Sequence, residues 1–158
     1  LAIAWVIVRG KIRGRGVLWV RFGSGKHSLV VLVAHLSLGT QARAHQLGYI
    51  TELLEGHPHA LLLGDLNTSI ESPELRNLFA RTSLQLPETA PLTFPSWSPA
   101  RAIDHILATS TLKIETLRTL PHLVSDHLPI AATVQLPINL DAQAHAADAH
   151  PSEKIASA

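Results

Sequence analysis

Four short stretches of this chain concentrate side chains able to do chemistry on an oxyanion: AHLSLG at 34–39, GDLN at 64–67, RAIDHIL at 101–107 and SDHLP at 125–129. In GDLN, Asp65 and Asn67 follow the apolar run ALLLG. Residues i and i+2 of extended chain project to one face. From there a carboxylate can hold a hard cation or orient a water, and an amide can hydrogen-bond a phosphate oxygen. The same letters also fit an Asx turn with Gly64 as a bend. His35 ends the apolar run LVVLVA, at the strand mouth where open α/β sheets place ligands; a lone histidine can equally be structural.

Asp104 and His105 sit inside the apolar string AIDHIL, where a charge is costly unless paired or coordinated. As neighbours in a strand they face opposite sides, so one of them is expected at a site reached from one face. An internal salt bridge is the other reading. Pro129 disfavours helix at Leu128, so His127 is presented from a turn with Asp126 beside it, a proton acceptor next to a carboxylate. Taken together, acidic and imidazole residues at the ends of several apolar strands are what a metal-assisted hydrolytic centre needs. His57, His59, His122, His145 and His150 lack that context and read as solvated.

The elements that must position these groups follow from pattern. Leu1–Val8 and Val17–Phe22 read as strands, separated by a Gly-rich basic turn from Arg9 to Gly16. Leu29–Ala34 is a continuous β-branched run, the mark of a strand covered on both faces. A helix follows, capped by Thr40, with Leu47, Ile50 and Leu54 at helical spacing and Gly56 just past its end. Ala60–Leu63 is a short strand ending at Gly64. Ser72–Pro73 opens a second helix with Ser as cap. Residues 84–101 hold four prolines and form a long loop of the functional kind, with Phe94 and Trp97 as expected substrate contacts. Strands follow at Ala102–Ala108, Lys113–Leu117 and Ile130–Leu136. From Ile138 the chain is Ala-rich and polar and reads as a tail, which leaves one domain over 1–137 and a tail over 138–158. Hairpins mixed with α crossovers predict an α/β (α+β) layered sandwich built on a mixed sheet.

Composition narrows the function classes. The chain has 158 residues, 46% of them apolar and 16% charged, which is a globular and not a disordered composition. A net charge of +1 is not an electrostatic footprint for nucleic acid. The early basic residues Arg9, Lys11, Arg13, Arg15 and Arg21 read as a solvated turn. With no cysteine there is no disulfide framework, thiolate metal site or thiol nucleophile. The compartment stays open, with a cytoplasmic setting favoured. No apolar run reaches the roughly 18 residues of a membrane span. The chain begins with Leu1 and holds no methionine, which points to a fragment or a processed chain.

In order, AHLSLG with Arg43-x-x-Gln46, GDLN, LTFPSW-x-P-x-R-x-IDHIL and SDHLP resemble the endonuclease/exonuclease/phosphatase superfamily, which includes deoxyribonucleases, neutral sphingomyelinases and inositol polyphosphate phosphatases. The likeness runs from about Val17 to Leu136. It implies the C-terminal part of a four-layer αββα sandwich and hydrolysis of a phosphoester by water with Mg²⁺ or Mn²⁺. Carried over, Asp65 orients or deprotonates the attacking water, and Asn67 holds the phosphate. His127 acts as general base or steadies developing charge, oriented by Asp104. Asp126 and Asp65 lie at the metal, and His35 contacts the phosphate and leaving-group side. His105 has no counterpart role. The superfamily also implies an N-terminal half with a metal-binding Glu; the thirty-four residues before His35 hold no acid, and the first, Glu52, stands on a helix.

The expected function is therefore a metal-dependent hydrolase of phosphoester, chiefly phosphodiester, bonds. The substrate class spans nucleic acid, phospholipid head groups and small phosphoesters, and no partner protein is evident. The alternatives are an inactive truncated homologue serving as a binding module, a gene fragment, or a structural domain whose motifs coincide by chance. The last requires His35, Asp65, Asp104 and His127 to lie scattered in space.

Overall fold

The computed structural model describes residues 2–6, 15–137 and 140. The expected strand at the start is seen over Ala2–Val6 (β1), and Val17–Phe22 (β2) pairs with it antiparallel. A short 3₁₀ turn at Gly25–His27 leads to Leu29–His35 (β3), antiparallel to β2. The helix Thr40–Leu54 (α1) crosses over to His59–Asp65 (β4), parallel to β3, and supplies the long crossover connection that a parallel pair needs. Then come Pro73–Arg81 (α2), Asp104–Ala108 (β5) antiparallel to β4, and a hairpin of Lys113–Thr119 (β6) with Ile130–Gln135 (β7). The first five strands form one mixed sheet in chain order, and β6–β7 forms a second, two-stranded one. This is the α/β layered arrangement that the pattern implied.

The core lies between that sheet and the two helices. Val30, Leu32 and Ala34 of β3 and Ala60 and Leu62 of β4 meet Leu47, Ile50 and Leu54 of α1 and Leu75 and Leu78 of α2. The period-2 side chains of the strands thus face the 3.6-period stripe of the helices. On the opposite sheet face, among the described residues, cover comes at one end, where Ile114 and Val134 of the hairpin pack with Val31, Leu61, Leu112 and Leu140. The continuous run in β3 implied cover on both faces; instead Val33 is 40% exposed. A helical layer beyond the hairpin has no counterpart among the described residues.

Several local expectations shift. Thr40 is the first residue of α1, not its cap; Gly39 precedes it, and the Thr40 hydroxyl accepts from the Arg43 guanidinium. Ser72 caps α2 as expected, accepting from the Leu75 N–H at 3.3 Å. β4 does not stop at Gly64 but runs through it to Asp65. His59 is buried, not solvated, with Nδ1 2.8 Å from the Thr111 hydroxyl. β5 begins at Asp104, two residues later than expected, and just ahead of it the Leu66 N–H donates to Ile103 O at 2.9 Å. Of the basic turn expected over Arg9–Gly16, residues 9–14 lie outside the described residues, as do His145, His150 and the expected tail apart from Leu140; Arg15 is half-buried and not solvated, because it reaches the Leu36 carbonyl. No helix among the described residues is long and apolar enough to cross a membrane.

Candidate active site

Strand register delivers the site. β3 and β4 run parallel with His35 opposite Asp65, and β4 and β5 run antiparallel with Asp65 opposite Asp104. Directly paired residues share a face of the sheet, so three neighbouring strands place an imidazole and two carboxylates in a row at one sheet end. Gly64 makes the approach possible. Its φ is +127°, and a Cβ there would stand 2.0 Å from the Ala34 carbonyl oxygen. Only a residue without a side chain lets β4 lie that close to β3.

The fourth group arrives from a loop. His127, ahead of β7, sets Nδ1 2.8 Å from Asp104 Oδ2. The loop is pinned by the proline-rich segment beneath it. The Leu128 N–H donates to Thr93 O at 2.8 Å, the Ser96 N–H to Asp126 O at 2.8 Å, and the Ser96 hydroxyl to Ser125 O at 2.6 Å. The Phe94 ring lies against His127, with centroids 4.9 Å apart. The Thr93 hydroxyl donates to the same Asp104 oxygen that holds His127. Burial works to lower the pKa of His127, but the hydrogen bond and charge of Asp104, reinforced by Asp65 and Asp126, outweigh it and hold the imidazole above its ordinary value.

Asp65 is held from several sides. Its Oδ1 accepts the Asn67 N–H at 2.8 Å, and His35 Nε2 lies 3.2 Å from Oδ2. Asn67 takes a left-handed backbone (φ +52°), and its amide Nδ2 donates to Leu36 O at 2.8 Å and to Asp65 Oδ2 at 3.2 Å. The Asx-turn reading of GDLN is therefore realised, and the turn leaves both Asp65 and Asn67 lining the cleft. The expected i, i+2 extended pair is replaced by a turn that folds the amide back over its own carboxylate.

All of the expected residues meet in one cleft of about 490 Å³, lined by His35, Asp65, Asn67, Asp104, Asp126 and His127 together with Arg15, Phe94 and Arg101. Their convergence removes the reading in which the motifs are scattered. Carboxylate oxygens of Asp65 and Asp104 and a ring nitrogen of His127 lie within 4.8 Å of one another, close enough to share one cation. Asp126 stands exposed on the cleft wall, outside that close group. His105 points away, as strand alternation requires: it is buried, with Nε2 2.8 Å from Thr68 O. Asp104 therefore pairs with His127, not with its neighbour. A larger hollow of about 750 Å³ near Glu52, His57 and Arg81 holds no such convergence, so chemistry and not size marks the site.

Three cleft contributors had no role from sequence. Thr93 orients Asp104, Arg101 places its guanidinium 5.6 Å from the Phe94 ring, and Arg15 reaches the Leu36 carbonyl. Thr93 and Arg101 belong to the recognised LTFPSW–IDHIL stretch; contacts across a loop left no periodic signal to read. Of the aromatic pair expected to meet substrate, Phe94 lines the cleft and Trp97 is 70% exposed.

The model of the Endonuclease/Exonuclease/phosphatase family matches residues 5–127. No curated protein matches the chain. Among solved structures, a functionally unknown conserved protein from Enterococcus faecalis superposes with a TM-score of 0.70 at 18% identity, over 87% of this chain and 66% of that one. A mannosyl-6-phosphatase from Bacteroides thetaiotaomicron gives 0.64 at 16%, over 85% and 65%. TDP2 of D. rerio, complexed with single-strand DNA product, gives 0.68 at 16%, over 85% and 67%. At these identities the likeness is one of fold, and the chain spans about two thirds of the length of each.

Proposed function

The chain belongs to the endonuclease/exonuclease/phosphatase family, and from that premise we propose that it hydrolyses phosphoester bonds with a divalent cation. The observation that carries this reading is the His127–Asp104 pair at 2.8 Å, set facing Asp65 in one cleft. With Nδ1 donating to Asp104, Nε2 of His127 is the nitrogen left to take a proton. A raised pKa makes it a stronger base. Asp65 orients the attacking water, and His127 accepts its proton. Asn67 gives one amide N–H to a phosphate oxygen, exchanging an internal contact for it. His35 faces the phosphate and the leaving-group side. Arg101, whose guanidinium makes no ion pair among the described residues, offers a cation to the phosphate oxygens.

Mg²⁺ or Mn²⁺ would be held chiefly by the Asp65 carboxylate, at the edge of the close Asp65–Asp104–His127 group, with Asp126 on the cleft wall as a second carboxylate; such ions are commonly held by one or two carboxylates plus water and substrate phosphate. When bound, the ion polarises the phosphoryl oxygen and acidifies water. Asp104, engaged by Thr93 and His127, keeps the base oriented. Among substrates, a near-neutral chain does not favour tight duplex binding. The relatives described as a sugar phosphatase and as bound to a DNA product keep small phosphoesters and nucleic acid both within the proposal.

The test is hydrolysis of bis(4-nitrophenyl) phosphate with and without chelator. Turnover that needs the cation and drops by about a hundredfold or more in Asp65→Ala and in His127→Ala is the expected result. Turnover unchanged in both variants would sink the assignment. No turnover, together with no rise in melting temperature in millimolar Mg²⁺, would favour a non-catalytic binding module.

A further inference from the structure

Arg43 and Gln46 belong to the first of the family-like motifs, yet nothing in the proposed chemistry uses them. Both point inward from α1. Arg43 and Glu74, at the start of α2, form an ion pair with side chains only 8% and 5% exposed; Nη2 and Nε stand 2.7 and 3.1 Å from one Glu74 oxygen. Nη2 also donates to the Thr40 hydroxyl at 3.3 Å, and Nη1 donates to backbone, to Ser37 O at 3.2 Å and to Leu38 O. Gln46 Oε1 accepts the Ser37 N–H at 2.8 Å. On the other side, the Thr68 hydroxyl donates to the same Glu74 oxygen at 3.4 Å.

Ser37 and Leu38 come just after His35 and Leu36, and Thr68 directly follows Asn67. The two chain segments joined by this pair are therefore the two walls of the cleft. Between them, the Leu36 N–H donates to Asp65 O at 2.9 Å, and the Leu36 carbonyl accepts the Asn67 amide at 2.8 Å. A buried ion pair is a poor device for stability, because desolvation consumes most of its Coulombic gain and an apolar pair of similar volume does as well or better. What an apolar pair cannot do is fix two carbonyls and a hydroxyl in place.

We propose that Arg43 and Glu74 are positioning residues: their buried pair sets the gap between the His35–Leu38 wall and the Asp65–Asn67 wall, and so the seat of the phosphate between His35 and Asn67. This rests on the phosphoesterase reading for its kinetic arm alone.

The experiment uses the full chain with Arg43→Met and Glu74→Leu combined, and reads melting temperature, kcat and KM on bis(4-nitrophenyl) phosphate with Mg²⁺, and hydrogen exchange of the Ser37 and Asn67 amides. The expected result is a melting temperature held or raised, kcat down about ten- to a hundredfold with KM little changed, and exchange at both amides faster by about tenfold. Glu74→Gln, which keeps an oxygen for Arg43 and Thr68, should restore kcat to within about threefold of the native value. A folded double variant with native kcat and native exchange overturns the proposal. Should the double variant not fold, Arg43→Lys carries the same readings, since it keeps the charge and loses the fork that reaches both carbonyls. If the native chain itself shows no turnover, the phosphoesterase reading fails, and the exchange arm decides the positioning role: faster exchange supports it, unchanged exchange overturns it.

Discussion

Replacing Gly64 by alanine tests the logic of the cleft most directly. The new Cβ would sit 2.0 Å from Ala34 O and 3.1 Å from Ala34 C, both backbone atoms of the neighbouring strand that no rotamer can move aside. An ordinary carbon–oxygen contact is about 3.3 Å, so β3 and β4 must part by more than about 1 Å, or the backbone must leave φ +127°. Overpacking of this kind costs about 1–3 kcal/mol, and a glycine-only conformation adds about 1–3 kcal/mol. For a chain of this length a loss of about 4 kcal/mol lowers the melting temperature by roughly 8–16 °C. The displaced pair adjoins His35 and Asp65, and a shift of about 1 Å at reacting groups costs on the order of a hundredfold in rate. The control is Gly56→Ala. Gly56 has φ +75° but no atom within 4 Å of the new Cβ, so it bears only the conformational cost of about 1–2 kcal/mol. Thermal unfolding and kcat are measured on both variants. A Gly64→Ala protein no less stable than Gly56→Ala, with turnover retained, would refute the reasoning.

Removing the hydroxyl with Thr93→Val should cost about 1 kcal/mol of stability and reduce turnover, because Asp104 loses a donor that fixes it toward His127; unfolding curves and kcat check both. Asp104→Asn should lower the His127 pKa, since burial then acts without the carboxylate that now outweighs it; an NMR titration of the imidazole reads the shift, and an unmoved value contradicts the pairing. Acid should destabilise the fold through His105, whose pKa is pushed below the ordinary 6.5 chiefly by burial, against the opposing pull of the Thr68 carbonyl and nearby acids. Below pH 6.5 the unfolded chain binds a proton that the folded one refuses, so stability falls as pH drops through that window. Glu74 adds to this at lower pH. Burial raises its pKa, but Arg43 and the helix N–H groups outweigh that, so its contribution is present above 4.5 and lost as pH falls through the depressed value. His127, raised, has the opposite sign and contributes most in acid. Denaturant midpoints across pH, with His105→Gln flattening the slope below 6.5, measure the balance.

What the sequence by itself determined is local or compositional. The apolar runs became strands β2 to β4, Ser72–Pro73 opened α2, and Gly56 followed the end of α1. Propensity and capping depend on near neighbours, so they are legible in a linear string. The ordered motifs marked the family and the residues of the cleft because each motif sits at the end of its own strand. Strand alternation said that Asp104 and His105 part ways, but only the sheet decided which of them enters the cleft. Registers such as His35 opposite Asp65 opposite Asp104 are non-local pairings, and a slip of one residue would reverse every face. The burial of His59 by Thr111, the Thr93 bond to Asp104 and the Arg43–Glu74 pair under the cleft likewise join residues far apart in the chain. Among the described residues, tertiary structure alone decided how far each face of the main sheet is covered, because cover comes from whichever element packs there and not from the strand's own apolar run.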